Sequence, residues 1–162
     1  MEGKETDKLK WCFRIKEWLK IVEPSERLSY SYLQESKSSL ERAIKNFQDK
    51  DLLWATIVLY YAEYYALYSF LQRIGVKCEN HSCSILLVSY LLGEDKIKII
   101  NEHKDKRIDA QYYMKFGKEW QVESMLNETK EFVSFFNELI SNLKEKDINT
   151  YKNKLKEFSN GG

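Results

Sequence analysis

Residues Leu52 to Leu71 read LLWATIVLYYAEYYALYSFL, twenty positions with one charge, Glu63, and five tyrosines. Any fold of this chain must bury that segment or place it in lipid. Length alone permits a membrane span, since ~20 apolar residues cover the hydrocarbon core of a bilayer. Composition opposes it. Tyrosines gather at membrane interfaces, whereas Tyr60, Tyr61, Tyr64 and Tyr65 stand mid-segment beside a carboxylate that is costly in lipid. The flanking Lys50, Asp51, Gln72 and Arg73 supply no one-sided cluster of positive charge. The segment therefore reads as a core helix that also carries hydroxyls, and no membrane association is expected.

The 162-residue length suits one domain with a substantial core. Lys and Arg number 26 against 25 Asp and Glu, so no global charge draws the chain to nucleic acid and any basic patch must be local. One proline, six glycines and 31% charged beside 43% hydrophobic residues fit a folded helical protein. Cys12, Cys78 and Cys83 are an odd count, and the polar start from Met1 to Lys10 lacks a secretory apolar core. Reduced thiols and a cytoplasmic location are the corresponding expectations.

Periodicity predicts a succession of helices. Trp11, Ile15, Trp18, Leu19 and Val22 recur at spacings of three and four, placing a short amphipathic helix over Lys8 to Val22 that stops at Pro24. Ser25 caps a second helix ending near Lys50 and Asp51. The apolar segment follows as the third, extended through Gln72 and Arg73 and closed by Gly75. Val76 to Asn80 read as a connection, His81 to Leu92 as a short apolar helix, and Asp95 to about Met114 as a further one. In that helix Ile97, Ile100, His103, Ile108 and Tyr112 form the inward set. A helix over Gln121 to Leu143 and a short one over Asp147 to Phe158 complete the pattern, with no strand-like alternation. The fold class is all-α: an antiparallel up-and-down bundle of four to five main helices with short additional terminal helices. Residues 1–24 form an amphipathic helix packed on the bundle, 25–145 the bundle itself, and 146–162 a short helix and polar tail.

Particular residues also resemble a known family. Tyr60-Tyr61-Ala62, then Ala66, Leu71, Gly75 and Val76, then His81 after a short loop, resemble the second helix and following loop of HEPN domains. Arg107-Ile108-Asp109-Ala110-Gln111-Tyr112 resembles the Arg-x-x-Ala-Asp-Tyr segment of a small prokaryotic HEPN subgroup found beside minimal nucleotidyltransferases. Gln111 departs from that pattern, standing where the subgroup has Asp. The resemblance covers about residues 25 to 143. It implies a homodimer, a ligand such as RNA or a nucleotide, a minimal nucleotidyltransferase as partner, and a place in a toxin–antitoxin type pair.

Many HEPN proteins are metal-independent ribonucleases with Arg, four to six residues, then His. Their chemistry uses an imidazole to move protons and a cation to steady charge on phosphate. The positions five, six and seven beyond Arg107 are Tyr112, Tyr113 and Met114, so the histidine is missing. A non-catalytic or weakly catalytic binding module is the resulting expectation. The alternatives are a ribonuclease toxin using Arg107 with Tyr112 or His103, and a helical interaction scaffold with no ligand. Ligand-binding candidates are Arg107, Tyr112, Glu63, Tyr61 and His81. An arginine fork suits phosphate oxygens and tyrosine stacks on bases.

Glu63 needs a partner or an outward rotation, because a lone buried carboxylate is expensive. Arg107 is the expected partner, with Glu63, Arg107 and Tyr112 forming one polar cluster between helices. His81 lies in CENHSC between two cysteines, but the spacing does not match a paired zinc site, and neither a metal nor a cofactor is expected. Around Tyr112 and Tyr113, residues 96–118 mix Lys96, Lys98, Lys104, Lys106, Lys115 and Lys118 with acidic side chains, a run that can receive RNA or form a solvated face.

Overall fold

The computed structural model describes residues 2–15 and 18–159. In chain order these form α1 (Glu2–Arg14), β1 (Lys20–Ile21), α2 (Glu26–Gln48), α3 (Leu52–Ile74), β2 (Val76–Lys77), α4 (His81–Leu92), α5 (Glu94–Tyr113), α6 (Glu119–Asn142) and α7 (Glu145–Ser159). The all-α expectation holds, and α2, α3, α5 and α6 make the up-and-down bundle. The pairing Ser25–Gln72, Ser36–Ala62 runs α2 against α3. Glu63–His103 and Tyr60–Arg107 run α5 against α3 in the same sense. No helix among the described residues is long and apolar enough to cross a membrane.

The apolar segment is the centre of the bundle. Sixteen of the 23 residues of α3 are buried, because α2, α4, α5, α6 and α7 all pack on it. Its tyrosines at four-residue spacing then have a clear use. The Tyr60 hydroxyl lies 2.9 Å from His81 Nδ1, and the Tyr64 hydroxyl 3.1 Å from Ser84 Oγ. One turn further, the Tyr68 hydroxyl accepts from the Cys78 backbone N–H at 3.2 Å. A buried tyrosine needs a partner for its polar tip, and this ladder spends all three on the start of α4 and the segment leading into it.

Helix ends follow local chemistry. The Ser25 and Asp51 side chains accept from the Leu28 and Trp54 backbone N–H groups at the starts of α2 and α3, and Asn80 does the same for Cys83 in α4. Gly75 ends α3 with φ of 91°. A second demand falls on the same residue: a Cβ there would stand 2.5 Å from the Val22 carbonyl oxygen, because Val22 N–H donates to the Gly75 carbonyl.

Three expectations need correction. The first helix does not run to Val22: α1 ends at Arg14, and Lys20–Ile21 pairs antiparallel with Val76–Lys77. Pinning to the end of α3 overrides helical periodicity there, since Ser25 N–H also donates to the Gln72 carbonyl. The short β1–β2 ladder also breaks the expectation of a chain without strands. The cysteines are not all reduced: Cys12 and Cys83 form a disulfide joining α1 to α4, and buried Cys78 is free. Cysteine count bears on compartment, whereas this bond depends on the fold bringing positions 71 residues apart into contact. The expected polar tail through Gly161 and Gly162 lies outside the described residues.

Two measurements check this architecture. Gly75→Ala is expected to cost more than about 2 kcal/mol in denaturant unfolding, from left-handed strain and collision with a backbone oxygen; a neutral variant would contradict the Val22 contact. Non-reducing mass spectrometry should find a peptide pair linked through Cys12 and Cys83. Cys12→Ser should weaken the fold by up to about 4 kcal/mol, the loop-closure value for a crosslink of that span.

Candidate functional site

The chemistry-bearing side chains meet where α3, α4 and α5 converge. Antiparallel packing of α5 on α3 places His103 opposite Glu63 and, one turn along, Arg107 opposite Tyr60. At the deep end, Glu63 and His103 are both fully buried, with Oε1 2.6 Å from Nδ1 and one hydrogen between them. The other ring nitrogen lies 3.6 Å from a Glu128 carboxylate oxygen of α6, beyond hydrogen-bond reach. Glu63 Oε2 and His103 Nε2 therefore have no hydrogen-bond partner. Burial pushes the Glu63 carboxyl above its ordinary value, and the hydrogen bond and charge of His103 offset this in part.

Arg107 occupies the next turn outward, 9% exposed. Its guanidinium carbon is 4.9 Å from the Tyr60 ring centroid and 5.6 Å from that of Tyr61, a double cation–π contact. One terminal nitrogen donates to Gln111 Oε1 at 3.2 Å, while Nε is buried without a partner. Lys104, three residues earlier on the same face, donates to Ser82 Oγ in the first turn of α4. Burial and then the charge of Arg107 lower its pKa.

His81 completes the cluster from α4. Its ring stacks on Tyr64 with centroids 3.7 Å apart, and Nδ1 meets the Tyr60 hydroxyl. Burial, then the charges of Arg107 and Lys104, bring its pKa from 6.5 down to about 4, so the ring is neutral at physiological pH. Burial likewise holds the Tyr60 and Tyr64 hydroxyls well above their ordinary values and keeps them protonated. The arrangement thus combines two cations, a neutral imidazole and aromatic faces at one opening, where Tyr61, His81 and Lys104 are only half-buried.

The structure unites some sequence-predicted residues and separates others. Glu63, Arg107, Tyr61, His81 and His103 lie in one region. The Glu63–Arg107–Tyr112 cluster is corrected: Glu63 pairs with His103, and Tyr112 is 66% exposed rather than inward. Positions 103 and 107 share a face, so the sequence could not say which was level with Glu63. Tyr112, five residues beyond Arg107, is rotated too far to follow it. His103, held at zero exposure, is correspondingly unfit to supply an imidazole to a ligand. Sequence reasoning missed the individual roles of Tyr60, Ser82, Lys104 and Glu128. The four-residue spacing of Tyr60 and Tyr64 and the three-residue spacing of Lys104 and Arg107 were available as signals; Glu128 on an amphipathic helix carried none.

A family model for the HEPN domain matches residues 29–149, most of the chain, and the protein belongs to the HEPN family. No curated protein and no solved structure matches it. The matched span begins inside α2 and reaches into α7, so it contains every side chain of the cluster.

The lowered pKa of His81 yields a signed prediction. A folded value below the unfolded one means that the neutral ring's contribution is present above pH 6.5 and is lost as pH falls toward about 4. Wild-type stability should therefore drop more steeply across that window than that of His81→Asn, with parallel curves above about pH 7. Equal slopes in chemical denaturation would show that His81 is not held neutral.

Proposed function

We propose that this chain is a HEPN binding module for RNA that anchors a phosphate on Arg107. The observation that supports this most is the placement of the Arg107 guanidinium over Tyr60 and Tyr61 with Lys104 on the same face. In most proteins an arginine this shielded is matched by a carboxylate, and among the described residues Arg107 has none within ion-pair distance. Its charge is available to an external anion. Half-buried Tyr61 and His81 beside it offer faces on which an unpaired base can stack.

A second reading, ribonuclease activity, has one observation in its favour. Although no histidine follows Arg107 at the family spacing, His81 reaches the same place from α4 through their common contact with Tyr60. In the tautomer whose Nδ1–H donates to the Tyr60 oxygen, Nε2 has a lone pair with which to accept a proton. The homodimer, the nucleotidyltransferase partner and the toxin–antitoxin setting belong to the same proposal and rest on the resemblance of the Tyr60–His81 and Arg107–Tyr112 segments.

Fluorescence anisotropy with a labelled single-stranded RNA tests the main reading. Arg107→Ala is expected to weaken binding at least tenfold and to flatten its salt dependence; undiminished binding would remove Arg107 as the anchor. Cleavage of the same RNA that disappears in both Arg107→Ala and His81→Ala would favour the ribonuclease reading. Light scattering should return twice the 19.4 kDa of one chain.

A further inference from the structure

α1 is joined to the bundle more by a covalent bond than by packing. It rests chiefly on α4 and α7, and of its described side chains only Leu9 and Cys12 are buried. Phe13 adds a stacked contact with Phe158 of α7, ring centroids 5.9 Å apart. A 13-residue helix with so little apolar burial is weakly held, since isolated helices shorter than about 12–15 residues are marginal in water. The Cys12–Cys83 bond supplies what packing does not.

Downstream of α1 the chain is fixed independently of that bond. Glu79 N–H donates to the Trp18 carbonyl, Leu19 is buried, and Lys20–Ile21 pairs with Val76–Lys77. Loss of the disulfide therefore frees α1 and stops at Trp18. The HEPN match, from residue 29 onward, lies wholly beyond the released segment.

α1 also brings a charge to the candidate site. Exposed Lys8 lines a cleft of about 160 Å³ together with Glu5, Ser82 of α4 and Asn101 of α5. Ser82 is the residue whose hydroxyl accepts from Lys104, so Lys8 and Lys104 share a neighbour in the first turn of α4. Burial, then the charge of Arg107 and, after it, that of Lys8 lower the Lys104 pKa, in agreement with this placement. Arg107, Lys104 and Lys8 thus continue as a series of cations from the opening toward α1.

We propose that the Cys12–Cys83 disulfide is a redox latch that holds Lys8 at the RNA-binding opening, and that its reduction releases α1 and weakens RNA binding. The regulation rests on the reading of Arg107 as a phosphate anchor; the release of α1 does not. The reductant is a dithiol. One of its thiolates attacks a sulfur of the Cys12–Cys83 bond and forms a mixed disulfide as the other cysteine leaves as a thiolate; its second thiolate then displaces the protein sulfur and closes a disulfide within the reductant. Two electrons and two protons pass to the protein, which ends with Cys12 and Cys83 as thiols. These residues are 0% and 1% exposed, so attack follows a local opening of α1.

The test compares the oxidised protein, the same protein after dithiothreitol, and Lys8→Gln in both states, all below the melting temperature of the reduced form. Alkylation under denaturing conditions should count one free thiol before reduction and three after. Amide hydrogen exchange over Glu2–Arg14 should accelerate on the order of tenfold or more on reduction, while α3 stays protected. Unchanged exchange in α1 would overturn the latch. By fluorescence anisotropy with single-stranded RNA, reduction and Lys8→Gln should each weaken binding roughly threefold to fivefold and lower the salt slope by about 0.7, the increment of one single-strand phosphate contact. Reduction should weaken Lys8→Gln no further, and reoxidation should restore wild-type affinity. Equal affinity of the oxidised and reduced protein, or the same loss on reduction in Lys8→Gln, would overturn the role of Lys8. Arg107→Ala keeps the two readings apart: binding that ignores Arg107 removes the anchor and the regulation built on it, whereas the exchange result decides the latch without RNA.

Discussion

The Glu63–His103 pair is the contact on which the rest of the arrangement depends. Placing a carboxylate in the middle of the central, mostly buried helix is unfavourable by several kcal/mol unless something answers it, and here the answer comes from another helix. That requirement sets the register of α5 on α3: a slip of one turn would take His103 away from Glu63 and leave its ring buried and unmatched. Apolar residues on α5 such as Ile97 and Ile100 would tolerate a small shift, because hydrophobic contact is not directional. A hydrogen bond at 2.6 Å between fully buried partners is not so tolerant. Once His103 is level with Glu63, Arg107 falls on Tyr60 and Tyr61 by the pitch of the helix alone.

The same logic extends to α4. The tyrosine hydroxyls of α3 have to be satisfied, and they select His81, Ser84 and the Cys78 N–H. Core packing and construction of the candidate site are therefore one process. The Cys12–Cys83 bond then ties α1 to the helix that carries His81, so the N-terminal segment is linked to the site through the covalent chain as well as through packing.

Much of this was legible in the sequence, and for identifiable reasons. Helices with a strong apolar stripe or a clear cap, such as the one begun by Ser25 and the one ended by Gly75, follow from local chemistry. Glu63 announced that it needed a partner. Which partner was not legible, because His103 and Arg107 are four residues apart on one face and only the packing of two helices decides between them. Tyr112 was misplaced for a related reason: the inward stripe of α5 runs Ile100, His103, Arg107, Ala110, and a tyrosine two residues later is carried round to solvent. The short β1–β2 pairing and the disulfide are long-range contacts with no local signature.

The central claim is that the buried pair, rather than apolar packing alone, holds α5 in register. A double-mutant cycle with Glu63→Leu and His103→Leu, read by denaturant unfolding, addresses it directly. Each single substitution leaves one buried polar group alone and should cost about 3 kcal/mol or more, while the double variant should recover much of that loss, a coupling of at least about 2 kcal/mol. Additive costs within about 0.5 kcal/mol would mean that the two side chains do not depend on each other, and the account of how Arg107 reaches Tyr60 would fail with them.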